Sequence, residues 1–184
     1  MSNELSGKRI AFLVANAGVE QVELTTPWQA LRDAGAETVL VAPERDTVQA
    51  FNGDVEKADT FDADLAVADA RAEEFDGLVL PGGTTNPDKL RMDQTAVALV
   101  KAFADAGKPI ASICHGPWTL VEAGVLTGKT LTSWPSLHTD IENAGGSWQD
   151  SESVTCPKGF PLVTSRNPDD LPAFNRAAIA AFAG

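Results

Sequence analysis

Short, unbroken apolar runs alternate along the chain with stretches in which apolar residues recur every three or four positions. Runs of the first kind read as strands buried on both faces, and the stretches between them as helices that cover those strands. Ile10–Ala15 is the first run; a helical stretch follows Asn16-Ala17-Gly18 to about Ala34, where Gly35 stops it. Thr38–Ala42 predicts the second strand. From Pro43 to Asp64 the pattern weakens, and the Asn52-Gly53 pair marks a tight turn, predicting a small hairpin on the sheet edge. A short polar helix or turn is expected over Asp69–Phe75, then a third central strand at Gly77–Leu80 that Pro81-Gly82-Gly83 ends abruptly.

In the second half, Val97, Val100 and Phe103 stand at helical spacing within Asp93–Ala106, and Gly107 closes that helix. Ile110–Ile113 predicts a strand that runs directly into Cys114-His115-Gly116-Pro117, and Pro117 opens a helix to Ala123 with Gly124 as its cap. A short strand near Leu131, a helix near Leu137–Ala144, two strands around Val154 and Leu162, and a helix over Asp170–Ala183 complete the pattern. The alternation predicts an α/β fold with a mostly parallel sheet covered on both faces. No repeat, low-complexity linker or break in pattern interrupts it, so residues 1–184 are expected to form one domain.

Composition narrows the function classes. The chain has 184 residues, with 14 Lys+Arg against 26 Asp+Glu, a formal charge of −12. That balance offers no basic cluster for phosphate contacts, which argues against a nucleic-acid partner. No apolar run approaches the roughly 20 residues of a membrane helix, and no secretory hydrophobic region is seen near Met1. Two cysteines, Cys114 and Cys156, are too few for a disulfide framework and suit a reducing, cytoplasmic setting. Two histidines and two cysteines show no metal-ligand spacing, so neither a metal nor another cofactor is expected.

The chemistry concentrates at Ala111-Ser112-Ile113-Cys114-His115-Gly116. A thiol at a sharp strand-to-helix turn, with small residues two places before and after it, has the form of a nucleophile elbow. A helix N-terminus there is expected to depress the thiol pKa. A free cysteine without such a setting is usually a small buried hydrophobe, and Cys156 is read that way. His115 is the candidate base, although adjacent side chains normally diverge; His138 lies in a helical stretch and is read as a surface residue. The Pro81-Gly82-Gly83 turn offers a bare backbone N–H at Gly83, and the N–H of His115 is a candidate partner for it. Such a pair forms an oxyanion hole, each donor contributing about 3–4 kcal/mol in acyl transfer. Glu20 and Glu23 follow the first strand at i, i+3 spacing on one helix face: either they complement the helix dipole, or one is desolvated near the sulfur. Trp118 and Trp134 either line the pocket or pack beside it, and Arg166 is either a substrate clamp or an ion-pair partner.

Taken together, Val19-Glu20-Gln21-Val22-Glu23-Leu24, Leu80-Pro81-Gly82-Gly83, Ile113-Cys114-His115-Gly116-Pro117, Thr132-Ser133-Trp134-Pro135-Ser136 and the stretch from Leu162 through Asp170-Leu171 resemble the PfpI-type intracellular protease/general stress protein family. That family lies within the class I glutamine amidotransferase-like superfamily. The resemblance implies a flavodoxin-like three-layer α/β/α sandwich, assembled as a homodimer or a larger homo-oligomer. Its nucleophile matches Cys114, its histidine His115 and its cysteine-contacting glutamate Glu23. A further acid, supplied by the neighbouring subunit in the proteases, matches Asp88, where the archaeal proteases carry Glu. Superfamily glutaminases use a His far downstream of the cysteine; none follows His138 here, which argues against that reaction. The expected activity is a cofactor-independent glyoxalase III or deglycase reaction on methylglyoxal or its adducts through a Cys114 hemithioacetal. The alternatives are an intracellular cysteine peptidase, or a redox-sensing stress protein or chaperone without turnover.

Overall fold

A computed structural model describes residues 3–184. In chain order the strands and helices are β1 (Arg9–Leu13), β2 (Ala17–Glu20), α1 (Gln21–Asp33), β3 (Glu37–Ala42), β4 (Thr47–Asn52), β5 (Glu56–Asp62), β6 (Leu65–Ala66) and β7 (Gly77–Leu80). They continue as α2 (Thr85–Leu90), α3 (Gln94–Asp105), β8 (Ile110–Ile113), α4 (Pro117–Ala123), β9 (Thr130–Leu131), α5 (His138–Asn143), β10 (Ser147–Trp148), β11 (Val154–Cys156), β12 (Leu162–Ser165) and α6 (Leu171–Ala183).

The main sheet has seven strands in the order β11-β12-β8-β7-β1-β3-β6. All its pairings are parallel except β11 with β12. Its five principal strands therefore run β3-β1-β7-β8-β12, the flavodoxin-like order, with the switch in direction between β1 and β7.

The two-residue period of these strands divides the core in two. Ile10, Phe12, Leu40, Val79, Ile113 and Val163 face α1 and α6, where Leu24, Leu31, Phe174 and Phe182 meet them. Ala11, Leu13, Val39, Val41, Leu78 and Ile110 face the other way, toward Val100, Phe103, Leu120 and Ile141 of α3, α4 and α5. This is a three-layer α/β/α sandwich with helices on both faces. No helix among the described residues is long and apolar enough to cross a membrane.

Three departures from the sequence expectations bear on the site. The stretch after β1 is not helical from its start: β2 intervenes and pairs in parallel with β4, so α1 begins at Gln21. The Asn52-Gly53 hairpin is formed by β4 and β5, but it does not sit on the main sheet edge; with β2 it makes a separate three-stranded sheet. A short helix, α2, follows the Pro-Gly-Gly turn, its sequence TNPDKL being polar and containing Pro87.

Candidate active site

Beside the topological switch point, six separate segments enclose a cavity of about 210 Å³. Its floor includes Glu23, Gly83, Cys114 and His115, and its rim Glu20, Gly53, Asp54, Trp134 and Pro168. The carboxyl ends of β7 and β8 deliver Gly83 and Cys114 to it, which is where open α/β sheets bind ligands. A larger cavity of about 610 Å³ lies elsewhere, beside α1 and β3 and including Trp28, Arg32 and Phe61; no cysteine or histidine lines it.

Cys114 has φ 61, a left-handed conformation that costs a non-glycine residue about 1–2 kcal/mol. Both of its peptide groups are held: its N–H donates to the Ser165 carbonyl at 3.0 Å, and its own carbonyl accepts from the Trp134 N–H at 2.8 Å. The turn needs glycine behind it, because a Cβ on Gly116 would lie 2.4 Å from the Leu80 carbonyl oxygen. The elbow expected from the sequence is thus present in the backbone.

Glu23 is fully buried in the first turn of α1. Its Oε2 accepts the Gly82 N–H at 2.9 Å, while Oε1 has no hydrogen-bond partner of normal geometry within the protein. Gly82 lets the carboxyl and the thiol come together: a Cβ there would fall 2.4 Å from Glu23 Oε2 and 2.8 Å from Cys114 Cβ. Burial pushes the Glu23 carboxyl up to about 8, against the lowering influence of hydrogen bonding with Cys114 and with Gly82.

The thiol does not follow the expectation of a depressed pKa. Burial and then the charge of Glu23 push it upward, while the N–H groups of His115 and Gly83 pull it down less strongly. The helix that follows is short, and a buried acid beside the sulfur outweighs it. Those two opposing N–H groups are the two named as oxyanion donors, and both act on the sulfur.

His115 Nδ1 lies 3.3 Å from Cys114 Sγ, so the strained turn does bring the adjacent side chains together. Its ring stacks on Trp134 with centroids 5.7 Å apart and meets Trp118 edge-on at 5.2 Å. Burial lowers its pKa, with the Asp54 carboxylate pulling the other way. Burial thus disfavours the charged imidazolium.

The remaining predicted residues are distributed unevenly. Glu20 lines the cavity but caps β2 rather than sharing a helix face with Glu23, and its Oε2 accepts the Gly53 N–H at 2.9 Å. Trp118 does not line the cavity; its Nε1 donates to Asp140 at 2.8 Å while the ring buttresses His115. Asp88 is exposed on α2, outside the cavity of its own chain. Arg166 is bound to Asp170 through two nitrogens at 2.9 Å and to Asp150 at 2.8 Å, the geometry of an ion-pair partner that braces the turn carrying Pro168. His138 is exposed and pairs with Glu142 at 3.0 Å. Among the described residues no group of three or more His, Cys, Asp or Glu is arranged to hold a metal.

Two contributors were not read from the sequence. Asp54, at the hairpin tip with φ 67, accepts from Thr84 N–H at 2.6 Å and from Thr84 Oγ1 at 2.7 Å. Asn86, fully buried, accepts the Ala15 N–H at 2.7 Å and donates to the Pro81 and Gly82 carbonyls at 3.0 and 3.1 Å, tying the end of β1 to the Pro-Gly-Gly turn. The Asn52-Gly53 signal located the hairpin without showing where it folds; Asn86 carried no signal beyond its place after that turn.

Comparison with known proteins now adds to this geometry. The family model for the DJ-1/PfpI family matches residues 8–181. The chain belongs to the DJ-1/PfpI family. It is 41% identical over 175 residues to General stress protein 18 of Bacillus subtilis (strain 168), covering 95% of this chain and 97% of that one. With Protein/nucleic acid deglycase 2 of Escherichia coli (strain K12) it shares 39% identity over 173 residues, 94% of this chain and 96% of the relative. The crystal structure of Drosophila melanogaster DJ-1beta superposes with a TM-score of 0.84 at 28% identity, over 100% of this chain and 92% of that one. The DJ-1/PfpI assignment agrees with the PfpI resemblance read from the motifs.

Proposed function

We propose that this DJ-1/PfpI protein is a glyoxalase or deglycase that converts methylglyoxal, or methylglyoxal carried as an adduct, to lactate at Cys114. The observation that carries the reading is the Glu23–Cys114 pair: a carboxyl pushed up to about 8 beside a thiol, with one oxygen unpartnered by the protein. The pair is coupled, so a proton on Glu23 is what makes a thiolate attainable, the buried acid then donating to the sulfur instead of repelling it.

From that state the thiolate attacks the aldehyde carbon C1. The resulting alkoxide meets the N–H groups of Gly83 and His115 and takes the Glu23 proton, giving the hemithioacetal. In an amine adduct the thiolate displaces the amine from the same carbon; the amine leaves with a proton and the same hemithioacetal remains. Glu23, now a carboxylate, removes the C1 hydrogen to form an enediol, and His115 assists the return of a proton to C2 as the C1 hydroxyl becomes a carbonyl. C1 is oxidised as C2 is reduced, so this isomerisation needs no external oxidant. Water then cleaves the lactoyl thioester, releasing lactate and the thiol. The cavity, smaller than the roughly 300–1,000 Å³ of drug-sized sites, suits a three-carbon group.

The test is lactate formation from methylglyoxal in thiol-free buffer, since any thiol traps the dicarbonyl reversibly and mimics its loss. Wild type and Cys156→Ser should produce lactate, and Cys114→Ala should fall to the buffer background. Equal lactate from wild type and Cys114→Ala would overturn the reading. A second reading, intracellular peptidase action, draws on the exposure of Asp88 on α2, where a neighbouring copy in a homo-oligomer would meet it. Casein cleavage that disappears in Asp88→Ala would favour it over the first.

A further inference from the structure

Beyond the floor that holds Cys114, the rim of the same cavity carries charge of one sign. Glu20, Glu23 and Asp54 line it, and no Lys or Arg does so among the described residues. The two rim acids are fixed, not free to swing away. The Thr84 N–H and hydroxyl hold the Asp54 carboxylate, and the Gly53 N–H holds that of Glu20. Gly53 and Asp54 both take left-handed backbone conformations, φ 58 and φ 67, which turn the hairpin tip over the site. Glu23, fully buried, lines the same cavity, and its Oε1 has no hydrogen-bond partner of normal geometry within the protein.

Resting on the reaction read above, we propose that Asp54 and Glu20 form a fixed anionic rim that selects the carrier of the dicarbonyl by charge. It admits adducts on carriers that keep a positive charge, as the guanidinium of an arginine side chain does, and disfavours adducts on phosphate-bearing carriers such as nucleotides. A cationic carrier emerging from the cavity mouth meets two carboxylates, whereas a phosphate there meets the same two as like charges. The rim residues act by steering and positioning the substrate, and the bond-making steps remain with Cys114, Glu23 and His115. The name of the E. coli relative spans proteins and nucleic acids; the rim divides those two classes for this chain.

Charge selection can be measured without turnover. In a Cys156→Ser background, Cys114 is modified at low ionic strength by three methanethiosulfonates: trimethylammonium-ethyl, sulfonatoethyl and methyl. In each case the thiolate attacks the sulfenyl sulfur and methanesulfinate leaves. With rates taken relative to the neutral methyl reagent, the cationic reagent should outpace the anionic one. That ratio should fall about three- to ten-fold in Asp54→Asn and by a smaller factor in Glu20→Gln, and shrink with added salt. A ratio near one in the parent, or one unchanged in both folded variants, would overturn the proposal. A parallel assay compares lactate from the methylglyoxal adducts of Nα-acetyl-arginine amide and of guanosine monophosphate. Preference for the arginine adduct that weakens in Asp54→Asn supports the proposal, and preference for the nucleotide adduct overturns it. A reagent ratio that behaves as expected, with no Cys114-dependent lactate from any substrate, would overturn the reaction while sustaining the charge selection.

Discussion

At Cys114 the ionisable neighbours are a buried acid and an imidazole whose charged form burial disfavours; at Cys156 they are the ammonium groups of Lys129 and Lys158. Burial alone would raise the Cys156 thiol, but the N–H groups of Thr130 and Lys158, together with those two ammoniums, outweigh it and bring the thiol below its ordinary value. Lys129 is itself buried, its ammonium donating to the Lys158 and Phe160 carbonyls and lying 3.5 Å from the centre of the Phe160 ring. The thiol with the elbow, the strained backbone and the convergent donors is thus the one whose resting pKa goes up, and the thiol read as merely structural goes down. A lowered thiol pKa and catalytic placement are separate properties. At Cys114 a buried carboxyl and an imidazole adjoin the sulfur within a cavity; at Cys156 the neighbouring N–H groups and ammoniums favour the charged form of the thiol.

The sharpest way to break this contrast is to remove the proton carrier. Glu23→Gln should lower kcat for lactate formation by about 10²–10⁴-fold. Alkylation of Cys156, followed by mass spectrometry, should proceed at its wild-type rate in the same variant. The substitution also has a signature in stability. Glu23 titrates at an ordinary 4.5 when unfolded and at about 8 when folded, so within that window the folded state holds the extra proton. Its contribution is fully present below 4.5 and is lost as pH rises through 8. Wild type should therefore lose more melting temperature than Glu23→Gln between about pH 5 and pH 8, by roughly 10 °C in a chain of this size. Equal losses in a thermal-melt series would show that the buried carboxyl does not titrate as described.

Asn86→Ala should have the next largest effect. It strands the Ala15 N–H and two carbonyls in the interior and should cost about 2–4 kcal/mol in denaturant unfolding. Because it unties the Pro-Gly-Gly turn, activity should fall with stability, while Cys156 chemistry stays unchanged. The smallest effect is expected at the other cysteine. Lys158→Met removes one ammonium from beside Cys156 and should slow its alkylation about two-fold at neutral pH, without altering lactate production. A slower Cys114 in that variant would mean that the two thiols are not independent.

The centre of the main sheet was legible because β1, β3, β7 and β8 are short, mostly apolar runs buried on both faces, a pattern that leaves little else for them to be. β2, α2 and β10 were not, since elements of four, six and two residues carry too little periodicity to register. The same contrast holds at the site. Cys114 and His115 announce themselves through one local turn, and Gly82 and Gly83 through another. Asp54 joins them from a hairpin whose destination depends on β2 pairing with β4, a long-range event without a local signature. A carboxyl desolvated near the sulfur was one of two readings open for Glu20 and Glu23, and burial selects Glu23; the lowered thiol of Cys156 was out of view, because it depends on which distant groups fold around it. Arg166 and Trp118, left open by the sequence, were decided by the partners they found, Asp170 and Asp140.

The two hydrogen bonds that hold the peptide groups of Cys114 reach forward along the chain, to Trp134 and to Ser165. Both anchors are made after the cysteine during synthesis, and the second lies in β12, the last strand of the sheet. A nascent chain that has emerged only through α5 already contains Cys114, His115, Glu23 and Asp54, but not the carbonyl that fixes the nucleophile's N–H. The order of translation thus places completion of the elbow after β12 has been made, because a chain that stops before Ser165 lacks the carbonyl that holds the Cys114 N–H.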